Sequence, residues 1–326
     1  MKRRDVWAAA AILASLESAN AVATDPRPFR LGVLAFSDVA TEPPGLEAFA
    51  TELAKLGYAI GRNLAIERRF AQKDGADAAA SALVGLKVDV IFAGGTETAL
   101  AAKRATSSIP IVFTSADPVG FGLVSSLSRP GGNLTGVSIQ GPAITSKEME
   151  SMVEALGTLR SLAYIHHVGA RSQPWYPSYV GAATSAAKKL GVRIEFREVA
   201  EIAAYEPLIQ ELTRRRIDAA ELMPGTVALT PTSVEYERIA ALFLRHQLPA
   251  IGPAQSGFLL HCEFAQALIA RRIAYFVDRI FRGANPTELP VEEFSTLRLI
   301  VNLKTARALG ITIPQALLIR ADEVIR

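Results

Sequence analysis

The chain has 326 residues, of which 50% are hydrophobic, 21% charged and 7% aromatic, with 35 Lys and Arg against 32 Asp and Glu. This composition is typical of a folded globular protein and excludes a disordered, collagen-like or coiled-coil chain. A net charge of +3 is too small to indicate a nucleic-acid partner, and a single cysteine, Cys262, excludes an intramolecular disulfide and a cysteine-rich metal site.

The N-terminal segment has the three parts of a secretory signal peptide. Lys2, Arg3 and Arg4 precede the apolar stretch 6–16, and small residues follow at positions 21 and 23. We therefore expect residues 1–23 to be removed on export to the periplasm, by the general or the twin-arginine route. An amphipathic helix is the alternative interpretation, but residues 7–16 have no polar face. No other run is long enough to span a bilayer.

The mature chain alternates short apolar runs with segments rich in Ala, Leu and Glu, a pattern typical of βαβ units and parallel sheets. The predicted strands cover residues 30–36, 64–70, 88–93, 110–114, 162–167, 193–199, 219–223, 249–252 and 297–302. The predicted helices cover residues 46–56, 76–86, 97–105, 147–156, 182–190, 205–215, 233–245 and 264–282.

Three joints of the first half recur in order in the second half. The offsets are 134 residues (53 to 187), 129 residues (87 to 216) and 139 residues (108 to 247), too long for a solenoid repeat. The repetition predicts an α/β fold with two doubly wound, Rossmann-like lobes.

Ligands of doubly wound sheets bind beyond the carboxyl ends of the strands, where loops present backbone N–H groups and helix N-termini. In the first half, Gly94 and Gly95 precede Thr96 at such a position. The Thr96 side chain is either the N-cap of the next helix or a hydroxyl that binds an anion. Asp117, before a proline, is either a turn-forming residue or a carboxylate for an amine.

Aromatic and histidine side chains cluster near the middle of the chain. Trp175, Tyr176 and Tyr179 are expected either to wall a pocket or to form a rigid surface loop between prolines. His166 and His167 end a predicted strand, where consecutive side chains face opposite ways, so a shared metal is disfavoured. No nucleophile elbow or metalloprotease motif is present, which argues against an enzyme.

The sequence resembles the substrate-binding proteins of ABC transporters, of the type that binds tryptophan and other amino acids. The likeness is carried by residues 103–113 and 117–136, and by 56–63, 87–91, 275–286, 289–292, 302–314 and 320–325, in order along nearly the whole mature chain. Two segments, 167–176 and 257–263, depart from the family pattern, so the identity of the ligand does not transfer.

The resemblance implies a type I periplasmic-binding fold, with lobe one formed by residues 29–139 and 259–293, lobe two by 140–258 and 294–326, and a hinge of three crossings. It implies a monomer that traps a small organic solute, an amino acid or related carboxylate, for an ABC permease in the inner membrane, without chemistry, cofactor, metal or nucleic acid. A sensing subunit of a membrane receptor and a secreted α/β enzyme are the alternatives. The family's ligand-facing loops map onto Ser37, Asp38, Thr96, Glu97, Asp117, Ser172, Gln173, Thr226 and Gln255.

Overall fold

The structure is a computed structural model that describes residues 27–36, 45–71, 75–139, 141–173, 175–223 and 233–326. None of the helices within these ranges is long and apolar enough to cross a membrane. The predicted signal peptide lies outside the described residues, so its removal stays a prediction.

Lobe one is built on a six-stranded sheet in which every pair of neighbouring strands is parallel. Its elements are β1 Phe29–Phe36, α1 Leu46–Lys55, β2 Leu64–Ala71, α2 Ala76–Gly85, β3 Val90–Gly94, α3 Thr96–Ala105, β4 Ile111–Ser115 and β5 Leu134–Ile139. The later helix α8 Gln266–Phe281 and strand β11 Glu292–Phe294 complete it, and the strand order is β11-β5-β4-β3-β1-β2.

Lobe two is built on a seven-stranded sheet of order β13-β12-β10-β9-β8-β6-β7, in which only β10 and β12 pair antiparallel. Its elements are α4 Gly141–Leu156, β6 Ser161–His167, α5 Tyr176–Leu190, β7 Arg193–Val199, α6 Tyr205–Arg214, β8 Ala219–Leu222, α7 Ser233–Arg245, β9 Ala250–Ile251, β10 Leu260–Phe264, β12 Leu297–Asn302, α9 Leu303–Ala308, α10 Gln315–Arg320 and β13 Glu323–Ile325.

The internal repeat in the sequence corresponds to a repeated order of strands in the two sheets. The order β2-β1-β3-β4 in one sheet corresponds to β7-β6-β8-β9 in the other. Asp89 accepts a hydrogen bond from the backbone N–H of Arg30 at 2.7 Å, and Asp218 accepts one from the N–H of Arg160 at 2.8 Å, so each aspartate ties the start of its lobe's first strand to the third. The prediction of two doubly wound lobes is confirmed.

The boundaries between the lobes differ from the predicted ones. β10 pairs with β9 and β12 in the second sheet, so the second crossing follows Phe264 instead of preceding residue 259. The strand β10 was not predicted because burial alternates along it, with Leu260, Cys262 and Phe264 buried and the residues between them partly exposed. Its antiparallel partner leaves one face half-covered, whereas strands of parallel sheets give continuous apolar runs. β11 pairs with β5, so lobe one ends at Phe294 and the third crossing is 295–296.

Apolar side chains fill both faces of each sheet. One cluster runs through both lobes, from Leu31 and Phe276 in lobe one to Met149 and Tyr164 in lobe two. Two further clusters cover the opposite faces, one beneath α2 and α3 and one beneath α6 and α7. The sheets are therefore rigid supports for the loops at their carboxyl ends.

Candidate functional site

A cavity of about 390 Å³ lies where the two lobes meet. Lobe one contributes the loop that follows β4 and the edge formed by β5 and β11. Lobe two contributes the start of α4 and the start of α5. The lining side chains are Ala116, Asp117, Pro118, Val119, Phe121, Leu127, Ser138, Pro142, Ala143, Trp175, Ser178, Tyr179 and Glu293.

Thr96 is the first residue of α3 and does not cap it with its side chain. Gly95 is the N-cap residue, and its φ of 121° is one that glycine adopts without strain. The Thr96 hydroxyl instead lies 3.0 Å from the Ser115 hydroxyl, at the carboxyl ends of β3 and β4. The alternative in which Thr96 only caps the helix is therefore wrong.

The two hydroxyls form a donor group beside the loop that borders the cavity, although neither Thr96 nor Ser115 lines the cavity itself. When one hydroxyl donates to the other, one hydrogen remains for an external acceptor. Thr96 is the first residue of α3, and the N-terminus of a helix favours an anion. Ser115 is 2% exposed and precedes Ala116, which lines the cavity. Sequence reasoning selected Thr96 and missed Ser115 as its partner.

Asp117 forms a turn and also lines the cavity. Its Oδ1 accepts the Gly120 N–H at 2.8 Å, as expected of a turn-forming aspartate before proline. An ideal Cβ at Gly120 would lie 2.1 Å from Asp117 Oδ2, so a glycine is needed where the carboxylate folds back. The turn role is confirmed, while binding of an amine stays a prediction. Glu97, in the first turn of α3, is partly buried and does not line the cavity.

The lobe-two wall is aromatic. Trp175 is buried and packs edge to face on Tyr179, with 5.6 Å between the ring centroids. Burial and the nearby Glu148 raise the pKa of Tyr179 to about 12, so its phenol is neutral at physiological pH. Tyr176 faces elsewhere, with its hydroxyl 3.0 Å from His166 Nε2. Two of the three aromatic residues in this segment thus belong to the cavity.

The remaining predicted residues are not brought to this cavity. Ser172 is exposed and donates to the Gly169 carbonyl at 2.9 Å, and Gln255 is exposed in a short turn. Gln173 is partly buried but does not line the cavity. Ser37, Asp38 and Thr226 lie outside the described residues, and their proposed roles stay predictions.

A buried acidic pair lies in lobe two. Glu148 on α4 accepts hydrogen bonds from His261 Nδ1 at 3.0 Å and from the Cys262 N–H at 2.8 Å. Burial, and then the charge of Glu148, raise the pKa of Glu221 well above its usual value. Burial lowers the pKa of His261, but the hydrogen bond and charge of Glu148 outweigh burial and raise it overall. Within the described ranges, no group of three or more His, Cys, Asp or Glu could hold a metal ion.

Comparison with known proteins gives consistent likenesses. The family described as "ABC transporter substrate binding protein" matches residues 44–231 and 246–325. A tyrosine-binding protein of Clostridioides difficile (strain R20291) is 25% identical over 279 residues, which are 82% of this chain and 78% of that protein. A conserved domain protein of Vibrio cholerae O1 biovar El Tor has a crystal structure that is 28% identical, with a TM-score of 0.76 over 91% of this chain and 100% of that one. The ABC domain of Streptococcus pneumoniae crystallised with L-Trp is 24% identical, with a TM-score of 0.76 and the same coverage.

Proposed function

The chain belongs to the family of ABC transporter substrate-binding proteins, and from that premise we propose that it traps an amino acid or related small carboxylate between its lobes. Its fold is the type I periplasmic-binding fold predicted from the sequence. The relatives that bind L-Trp and tyrosine support the ligand class. The observation that carries the proposal is the cavity at the lobe junction, which has an aromatic wall and a carboxylate on the opposite side.

Each part of an amino acid has a counterpart in the described residues. The Thr96 and Ser115 hydroxyls and the first N–H groups of α3 would take the carboxylate. Asp117, which lines the cavity, would face the amine, and Glu97 is the second candidate for that role. Trp175 and Tyr179 would pack against the side chain.

The ligand is bound without turnover in this proposal. Cys262, the single thiol, is buried, and burial raises its pKa well above the usual value, so it is not an active nucleophile at neutral pH. His261 and Glu148 are engaged with each other and with the Cys262 backbone. These contacts support a structural role for the buried polar groups.

Export and delivery complete the proposal. The family is extracytoplasmic. Residues 1–23 would direct export to the periplasm, where the mature protein would act as a monomer and pass its ligand to an ABC permease of the inner membrane. Neither step requires a cofactor or nucleic acid.

Thr96→Val tests the carboxylate site. A charge-assisted hydrogen bond contributes about 1.5–3 kcal/mol, so we expect the affinity for L-tyrosine or L-tryptophan, measured by titration calorimetry, to fall about tenfold or more. Thr213→Val is the matched control, because its hydroxyl is exposed and donates to the Ile209 carbonyl of its own helix. A Thr96→Val protein that binds as tightly as the parent would exclude this residue from the site.

A further inference from the structure

A glycine at the start of α4 makes room for a tyrosine of α5. An ideal Cβ built on Gly141 would lie 2.1 Å from Tyr179 Oη and 2.9 Å from its Cζ, closer than real Cβ contacts. Glycine at this position, the first residue of α4, leaves the space that the phenol occupies. Any side chain at position 141 would have to displace the phenol.

The same tyrosine forms part of the cavity wall. Tyr179 lines the cavity beside Trp175, while Pro142 and Ala143, which directly follow Gly141, line it from α4. The tyrosine ring thus lies between the start of α4 and the cavity. Because α4 blocks one side, a displaced ring moves toward the free space of the cavity.

The position of Gly141 links this contact to the hinge. β5 ends at Ile139 in lobe one, and α4 begins at Gly141 in lobe two, so the phenol oxygen lies against the first of the three crossings. The neutral phenol, with its pKa near 12, brings no charge to this junction.

We infer that Tyr179, seated against Gly141, sets the size of the ligand that the cavity accepts. The inference rests on the proposed function, because it takes this cavity as the ligand site. Gly141 on α4 and Tyr179 on α5 together determine how far this wall of the cavity extends.

A double-mutant cycle tests the inference with L-tryptophan as the larger probe and L-phenylalanine as the smaller. Gly141→Ala should weaken L-tryptophan binding by about tenfold or more and L-phenylalanine binding less, since the ring is pushed into the cavity. Tyr179→Ala should shift the ratio of the two dissociation constants in favour of L-tryptophan. In the Tyr179→Ala background, Gly141→Ala should have no further effect on either ligand.

Gly181→Ala is the matched control, because Gly181 lies on the same helix as Tyr179 and its Cβ would meet nothing within 4 Å. It should leave both dissociation constants unchanged. Equal losses from Gly141→Ala in both backgrounds, or an unchanged ratio between the two ligands, would overturn the inference.

Thermal unfolding of the same four proteins separates the inference from the proposed function. Gly141→Ala should lower the unfolding midpoint in the parent and not in the Tyr179→Ala background. If the parent binds none of a panel of amino acids and small carboxylates, the proposed function fails, whereas an unfolding cycle without coupling rejects the Tyr179–Gly141 contact by itself.

Discussion

Glu221 is a buried carboxyl group that should make the protein less stable as the pH rises. It lies on β8 between Tyr164 of β6 and Ile251 of β9, and its side chain has no exposed surface. Neither of its oxygens has a hydrogen-bond partner in the described part of the chain. Burial is the main cause of its raised pKa, the charge of Glu148 adds to it, and Thr145 offsets only part of the shift.

The sign of the effect follows from the protons that each state binds. The unfolded chain releases the Glu221 proton above its ordinary pKa of about 4.3, whereas the folded protein retains it. Each pH unit in that window then lowers the free energy of unfolding by about 1.36 kcal/mol. The loss accumulates over the pH range that lies above the ordinary carboxyl pKa and below the raised pKa of the folded protein.

Glu221→Met removes the ionisable group at similar length. Urea unfolding of parent and variant at several pH values should show a stability difference that grows in favour of the variant as the pH rises above 5, by up to about 1.4 kcal/mol per pH unit. Glu288→Gln, at an exposed carboxylate, is the control and should give no such slope. A difference that is constant or that shrinks with pH would refute the reasoning.

Two further predictions concern backbone positions. Gly136→Ala places a Cβ 2.1 Å from the Phe113 carbonyl oxygen, and the backbone cannot move aside as a side chain can. We therefore expect the free energy of unfolding, measured in urea, to fall by about 3 kcal/mol or more. A fall below about 1 kcal/mol would contradict the packing of β4 on β5. Lys87 has a left-handed φ of 51°, which glycine adopts without strain, so Lys87→Gly should raise the free energy of unfolding by about 0.5–1 kcal/mol. The gain is smaller than the full cost of a left-handed conformation because glycine is more flexible in the unfolded chain. Destabilisation by Lys87→Gly would show that this side chain contributes contacts that outweigh the strain.

Much of the fold was predictable because its local signals agree. The predicted bounds of β7, β12 and α7 match the structure, and the other predicted strands differ from the observed ones by one or two residues at an end. Each repeated joint has the same role in both lobes, and Lys87, Arg216 and Gln247 all adopt a left-handed φ just before a strand. The residue patterns at helix ends and strand starts therefore predicted the topology.

Four strands were missed for identifiable reasons. β5 contains Gly136 and hydroxyl residues, which weaken its apolar pattern, and β10 alternates in burial because its partner is antiparallel. β11 and β13 have three residues each, too short for a periodic signal. These missed strands explain the displaced lobe boundaries, since β10 and β11 flank the second and third crossings.

The site was less predictable, since it is assembled across the lobes. Of the predicted site residues within the described ranges, Asp117 alone lines the cavity. Spacing could have selected the aromatic pair, because Trp175 and Tyr179 are four residues apart and share one face at a helix start, while Tyr176 points about 100° away. The contacts of Thr96 with Ser115 and of Tyr179 with Gly141 join separate elements, and no local sequence pattern predicts them.

The most direct test of ligand trapping is titration calorimetry of the mature protein after unfolding and refolding to remove bound ligand. With L-tyrosine, L-tryptophan and a panel of other amino acids and small carboxylates, we expect saturable binding of at least one compound at one site per chain, with the compound recovered unchanged. Absence of binding across the panel, or chemical conversion of the compound that binds, would contradict the account.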